Sequence, residues 1–167
     1  MEPVNGRRYG REWALQMLVQ ADLNPFATAE MILKHFWEQQ WSFRQEEAGK
    51  ADDDMDEVER VLEPARRLAT PELTEFTEKL VRGTLADVEA LDKDIAATCD
   101  HWSIDRLGVI ERCVLRLGVY EMTQLGTPVP VVINECVELA KYFSNAEAGA
   151  YVNGVLDRYA KNRRARG

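Results

Sequence analysis

The chain has 167 residues and a mass of 19.1 kDa, room for one domain of ordinary size. A hydrophobic fraction of 46% and a charged fraction of 30% exclude a disordered chain, a collagen-like repeat and a disulfide-dense scaffold. The net charge of -8 argues at first against a nucleic-acid partner, but its distribution does not. Between Glu46 and Glu63 stand nine acidic residues and two basic ones, Lys50 and Arg60, so this block holds -7 of the -8. Arg7, Arg8 and Arg11 cluster near the start, and Arg158, Lys161, Arg163, Arg164 and Arg166 near the end. Basic ends around an acidic middle leave RNA open as a partner. No apolar run approaches the ~20 residues that cross a bilayer, and the N-terminus lacks the apolar core of a secretory signal. A cytoplasmic protein without membrane contact is expected.

In chain order the apolar spacing predicts helices nearly throughout. Ala14, Met17, Leu18 and Ala21 recur at i, i+3, i+4, placing an amphipathic helix over about 8–22 that ends before Asn24-Pro25. Thr28 caps a second helix to about 42, with Ile32, Phe36 and Trp37 inward. The polar stretch 43–57, containing Gly49, reads as loop or frayed helix. Thr70-Pro71-Glu72 opens the next helix with a capping hydroxyl, a proline in the first turn and an acid facing the dipole. Phe76, Leu80 and Leu85 follow, then a helix with Val88, Leu91 and Ile95. Ser103 opens a long helix carrying Leu107, Ile110, Val114 and Leu117, stopped by Gly126. Pro130 primes another, with Ile133, Val137, Ala140 and Phe143 on one face. Ser144-Asn145-Ala146-Glu147 reads as a capping box, starting a last helix with Val152, Val155, Leu156 and Tyr159 inward. The β-branched run Val129–Ile133 contains Pro130 and sits badly in a strand ladder. The fold class is all-α: a single domain over 1–167, with an acidic, partly irregular insert at 43–69 and a basic tail at 161–167.

Chemistry-bearing constellations are few. Cys99, Cys113 and Cys136 lie on apolar-patterned stretches and read as reduced core residues. Cys99 and His101 stand close in sequence, but nothing nearby supplies the other ligands a structural zinc site needs. No phosphate loop, nucleophile elbow or H-E-x-x-H motif occurs. Glu111 and Glu121 are nearly three helical turns apart, about 15 Å, too far to act as paired acid and base. A catalytic role and a bound cofactor are not expected.

Three passages carry a family signature. The first is Arg7-Arg8-Tyr9-Gly10-Arg11-Glu12 with Gln16. The second runs from Ile110-Glu111 through Leu115-Arg116 to Tyr120-Glu121. The third is Ile133-Asn134-Glu135, then Glu138-Leu139-Ala140-Lys141, followed by Val152-Asn153-Gly154-Val155-Leu156-Asp157. Together they resemble the NusB family of transcription antitermination factors, loosely over 7–38 and closely over 70–160. The resemblance implies an all-helical fold of two packed helical subdomains, without catalysis or cofactor. It implies binding to the boxA element of ribosomal-operon leader RNA together with NusE, a small-subunit ribosomal protein. Other Nus factors and RNA polymerase would be engaged indirectly, and monomer and homodimer both stay open.

Transferred residue by residue, the resemblance assigns RNA contact to Arg7, Arg8, Arg11, Gln16, Glu147 and Tyr151, and NusE contact to Glu111. Positive charge in a first helical turn opposes the helix dipole, so phosphate binding gives the arginines a reason to be there. Gln16 is read on their side of the helix, within range of a base edge. Tyr151, at the edge of the Val152–Val155–Leu156 stripe, is placed to stack on an unpaired base. Glu147 would tune affinity by repulsion. Asn134-Glu135 and Asn153-Gly154 read as helix-end or packing residues. Tyr9 and Gly10 depart from the arginine and alanine common in the family, and Gly10 weakens the helix start. Two rival readings remain: a helical adaptor that binds only protein, and the NusB-like front of an RNA methyltransferase, which would need a Rossmann-like domain after Gly167.

Overall fold

The computed structural model describes residues 3–48, 69–99 and 104–167. Seven α-helices stand among the described residues: α1 Pro3–Leu23, α2 Ala29–Ala48, α3 Pro71–Ala86, α4 Val88–Thr98, α5 Val109–Tyr120, α6 Val129–Phe143 and α7 Ala146–Arg166. No strand occurs among them. His101, Ser103 and most of the acidic insert lie outside the described residues. No described helix is long and apolar enough to cross a membrane. The chain divides into two compact units, Met1–Lys79 and Leu80–Gly167, with α3 running from one into the other.

In the first unit, the expected caps start two helices. Thr28 Oγ1 accepts the Met31 N–H at 3.2 Å, and Thr70 Oγ1 accepts the Leu73 N–H at 3.2 Å. α2 extends to Ala48, so the first part of the stretch read as loop or frayed helix is helical. Trp13 meets Trp37 edge-on with centroids 5.7 Å apart, and Trp37 Nε1 donates to Glu78 Oε1 at 3.0 Å. These contacts tie α1 to α2 and α2 to α3. Gly10 is buried where α1 crosses α3: a Cβ there would come within 2.9 Å of Leu73 Cδ1 and Phe76 Cδ1. The helix-weakening glycine thus has a packing reason, since a larger residue would force the Leu73 and Phe76 side chains to shift.

The second unit is organised on α5, where Cys113, Val114, Leu115, Leu117, Gly118, Val119 and Tyr120 are all buried. Gly118 permits the close approach of α6 and α7, because an added Cβ would lie 2.9 Å from Cys136 Sγ and 3.1 Å from Leu156 Cδ1. Arg116 grips Asp92 of α4 through two hydrogen bonds of 2.6 and 2.8 Å. Three expectations are corrected here. First, the long helix expected up to Gly126 is divided: a 3₁₀ turn spans Ile104–Arg106, α5 starts at Val109 after Gly108, and a π-turn covers Glu121–Leu125. Arg112 fastens the 3₁₀ turn by donating to the Leu107 carbonyl at 2.9 Å, and Arg163 donates to the Met122 carbonyl of the π-turn at 3.2 Å. Gly126, in the left-handed region with φ of 66°, ends the run. Second, α6 buries Val132, Glu135, Cys136, Leu139 and Ala140, a face turned by one residue from Ile133–Val137. Third, Asn145 rather than Ser144 caps α7, its Oδ1 accepting the Ala148 N–H at 2.8 Å. The basic tail is the last turns of α7, which stays helical to Arg166. Basic side chains there oppose the negative end of the helix dipole.

Candidate functional site

In the first unit the basic cluster occupies the N-terminal half of α1. Arg7 and Arg8 are exposed, whereas Arg11 is only 3% exposed. Arg7 and Arg11 are one turn apart and share the Phe76 ring, their guanidinium carbons 5.0 and 5.5 Å from its centroid. Arg11 therefore faces the aromatic core of the unit, and the cluster presents two guanidinium groups to solvent rather than three. Gln16 is exposed, so it does not share the side of Arg11; it follows Arg8 by about two turns.

The remaining predicted residues lie in the second unit. Tyr151 is 36% exposed and lines an open cleft of about 670 Å³ between the C-terminus of α4 and the middle of α7. Its hydroxyl donates to Cys99 Sγ at 3.6 Å, holding the ring at the cleft wall. Burial, the hydrogen bond to Cys99 and the electrostatic influence of Cys99 and Glu111 push the Tyr151 phenol up to about 12. The ring is neutral at physiological pH, as an ordinary phenol also is, and it is partly open to solvent. Glu147 is exposed one turn before Tyr151, in the first turn of α7, where a carboxylate favours the helix dipole. Glu111 is half-buried in the first turn of α5, its carboxylate folded back over Gly108. Its carboxylate is the smallest of the influences that raise the Tyr151 phenol.

Several features of this cleft escaped the sequence reading. Cys99, taken as core, is half-buried and borders the cleft, whereas Cys113 and Cys136 are buried; all three are free thiols. Arg158 and Lys161 line the same cleft further along α7, at i+7 and i+10 from Tyr151. Their helical spacing was visible, but nothing in the chain marked α4 as the opposite wall. Asn153 and Gly154, read as helix-end or packing residues, lie exposed in the interior of α7. Among the described residues no group of three His, Cys, Asp or Glu side chains could hold a metal ion, and the Cys99–His101 pairing lies partly outside them.

Comparison with known proteins points one way. A relative from Myxococcus xanthus, a transcription antitermination protein NusB, is 37% identical over 158 residues, covering 94% of this chain and 96% of its own. Its counterpart in Anaeromyxobacter dehalogenans is 40% identical over 157 residues, covering 92% and 89%. A crystal structure of the antitermination factors NusB and NusE in complex with double-stranded RNA superposes with a TM-score of 0.68 at 28% identity, covering 95% of this chain and 98% of that one. With the family model matching residues 8–161 as well, a span that takes in most of both units, this chain belongs to the NusB family.

Proposed function

We propose that this protein is a transcription antitermination factor that binds the boxA element of ribosomal-operon leader RNA together with NusE. It acts in the cytoplasm by binding alone, with no catalytic step and no cofactor. Other Nus factors and RNA polymerase are engaged through the assembled complex. Tyr151 carries this reading: a neutral ring, 36% exposed, held on the wall of an open cleft in a family whose solved relative is bound to RNA and NusE. Such a ring stacks on an unpaired base, an interaction worth about 1–3 kcal/mol by truncation. Arg7 and Arg8 supply positive charge for phosphates, and Gln16 a polar group for a base edge. Glu147 moderates affinity by repulsion. Glu111 meets NusE through the exposed part of its side chain.

The test is a titration of single-stranded boxA RNA with the protein alone and with NusE, beside the same sequence annealed into a duplex. Tyr151→Ala is expected to weaken single-strand binding by about 1–3 kcal/mol and Tyr151→Phe to leave it nearly intact. Glu111→Lys is expected to lose NusE, at a helix-dipole cost of about 0.3–1 kcal/mol to stability. Retention of NusE with no RNA binding under any of these conditions would identify a protein-only adaptor.

A further inference from the structure

Three glycines stand inside α5 and α7: Gly118, Gly149 and Gly154. Glycine is the poorest helix former after proline, so each position needs a reason. Packing supplies it for two of them. A Cβ at Gly118 would press on Cys136 Sγ at 2.9 Å, and one at Gly149 on Lys141 Cγ at 2.6 Å. Among the described residues a Cβ at Gly154 would meet no neighbouring group within 4 Å, and the residue has no left-handed backbone to accommodate. Nothing among the described residues therefore requires glycine at this place.

Gly154 lies on the floor of the cleft that holds Tyr151. Tyr151, Gly154, Val155, Arg158 and Lys161 follow one another at i, i+3, i+4, i+7 and i+10, a continuous face of α7, with Thr98 of α4 on the other wall. Ten residues of helix span about 15 Å. At about 670 Å³ the cleft falls in the size range of small-ligand pockets. It starts at an aromatic ring, continues over Gly154 and Val155 and ends at Arg158 and Lys161, with the Asp157 carboxylate beside them. Arg158 is anchored by donating to the Thr98 carbonyl at 3.3 Å. Lys161 pairs with Asp157 at 2.7 Å, but both side chains are well exposed, and such surface pairs exchange readily for a better anion.

Resting on the assignment of Tyr151 to RNA, we infer that this cleft is a second nucleotide subsite. The nucleotide next to the base on Tyr151, in the same single strand, lays its base or ribose on Gly154 and Val155. Its phosphate meets Lys161 at the far end. The missing Cβ is the space the RNA fills, which explains a glycine that folding does not need.

The experiment uses the full chain with NusE, labelled single-stranded boxA RNA, and three variants measured for Tm and Kd. Gly154→Ala is expected to raise Tm by about 2–4 °C, the gain from replacing a helix-interior glycine. The same change is expected to raise the RNA Kd about tenfold or more, as a methyl group does in a fitted pocket. Lys161→Gln is expected to lower the slope of log K against log salt by about 0.7, one phosphate contact with a single strand. If Gly154→Ala leaves the Kd unchanged while Tyr151→Ala weakens it, the second subsite is wrong and the Tyr151 assignment stands. If neither variant changes RNA binding, the assignment of this face to RNA falls with it. Loss of NusE rather than RNA from Gly154→Ala would give the cleft to a protein partner and overturn the inference.

Discussion

Arg7 and Arg11 lie over the same phenyl ring, 5.0 and 5.5 Å from its centroid, yet only Arg7 meets water. A guanidinium on an aromatic face gains roughly 0.5–1 kcal/mol when exposed and about 2 when desolvated, so the buried partner contributes more to folding. The two residues should separate experimentally. The Arg7→Ala, Arg8→Ala double variant is expected to lower the salt slope of RNA binding by about 1.4, two single-strand phosphate contacts, with little change in Tm. Arg11→Ala is expected to lower Tm and leave the slope in place. A flattened slope in the Arg11 variant would put its guanidinium on a phosphate after all. The arginine types and their clustering were legible in the sequence. Which guanidinium is covered was not, because the covering ring comes from Phe76 on another helix.

At the level of whole helices, the connection between α6 and α7 shows how one residue of register decides which side chain works. Ser144 closes α6, its N–H bonded to the Ala140 carbonyl at 3.0 Å, and Asn145 opens α7 by capping the Ala148 N–H. Both residues are good caps by type, and the Ser-x-x-Glu spacing favours the serine. The backbone decides otherwise, because Ser144 is already committed to the preceding helix. Asn145→Ala is expected to cost about 1 kcal/mol in urea unfolding, whereas Ser144→Ala should stay within about 0.5. Equal costs would mean that the cap is shared. The same one-residue ambiguity affected α6, whose buried face runs through Val132, Cys136 and Leu139. Its apolar residues cover about half of the helix surface, wide enough to hold both the Ile133–Val137 and the Val132–Cys136 stripes, so periodicity alone could not choose between them.

The behaviour of the folded molecule at alkaline pH gathers three of its tyrosines. Burial is the main cause raising Tyr120, Tyr151 and Tyr159, aided by the charge of Asp87 at Tyr120, the hydrogen bond to Cys99 at Tyr151 and the charge of Asp94 at Tyr159. A phenol whose folded value exceeds its unfolded one, near 10, favours folding in full below that value. Stability is then lost as pH rises from about 10 toward the folded value, about 12 for Tyr151. Urea midpoints should accordingly fall as pH rises above about 10, with ionisation of these three phenols delayed beyond that of a free tyrosine. Ionisation of all tyrosines near 10 in a still-folded protein would contradict this. At this scale the amino-acid sequence alone determined the all-helical class, the order of the helices, the caps at Thr28 and Thr70, the buried stripe of α7 and the family resemblance. These depend on interactions within a helical turn or two, on side-chain periodicity, or on ordered motifs. The tertiary structure alone decided the burial of Arg11, the inner face of α6, the π-turn after α5 and the open flank of Gly154. Each of these depends on what a residue distant in the chain places beside it, and a local pattern holds no record of that neighbour.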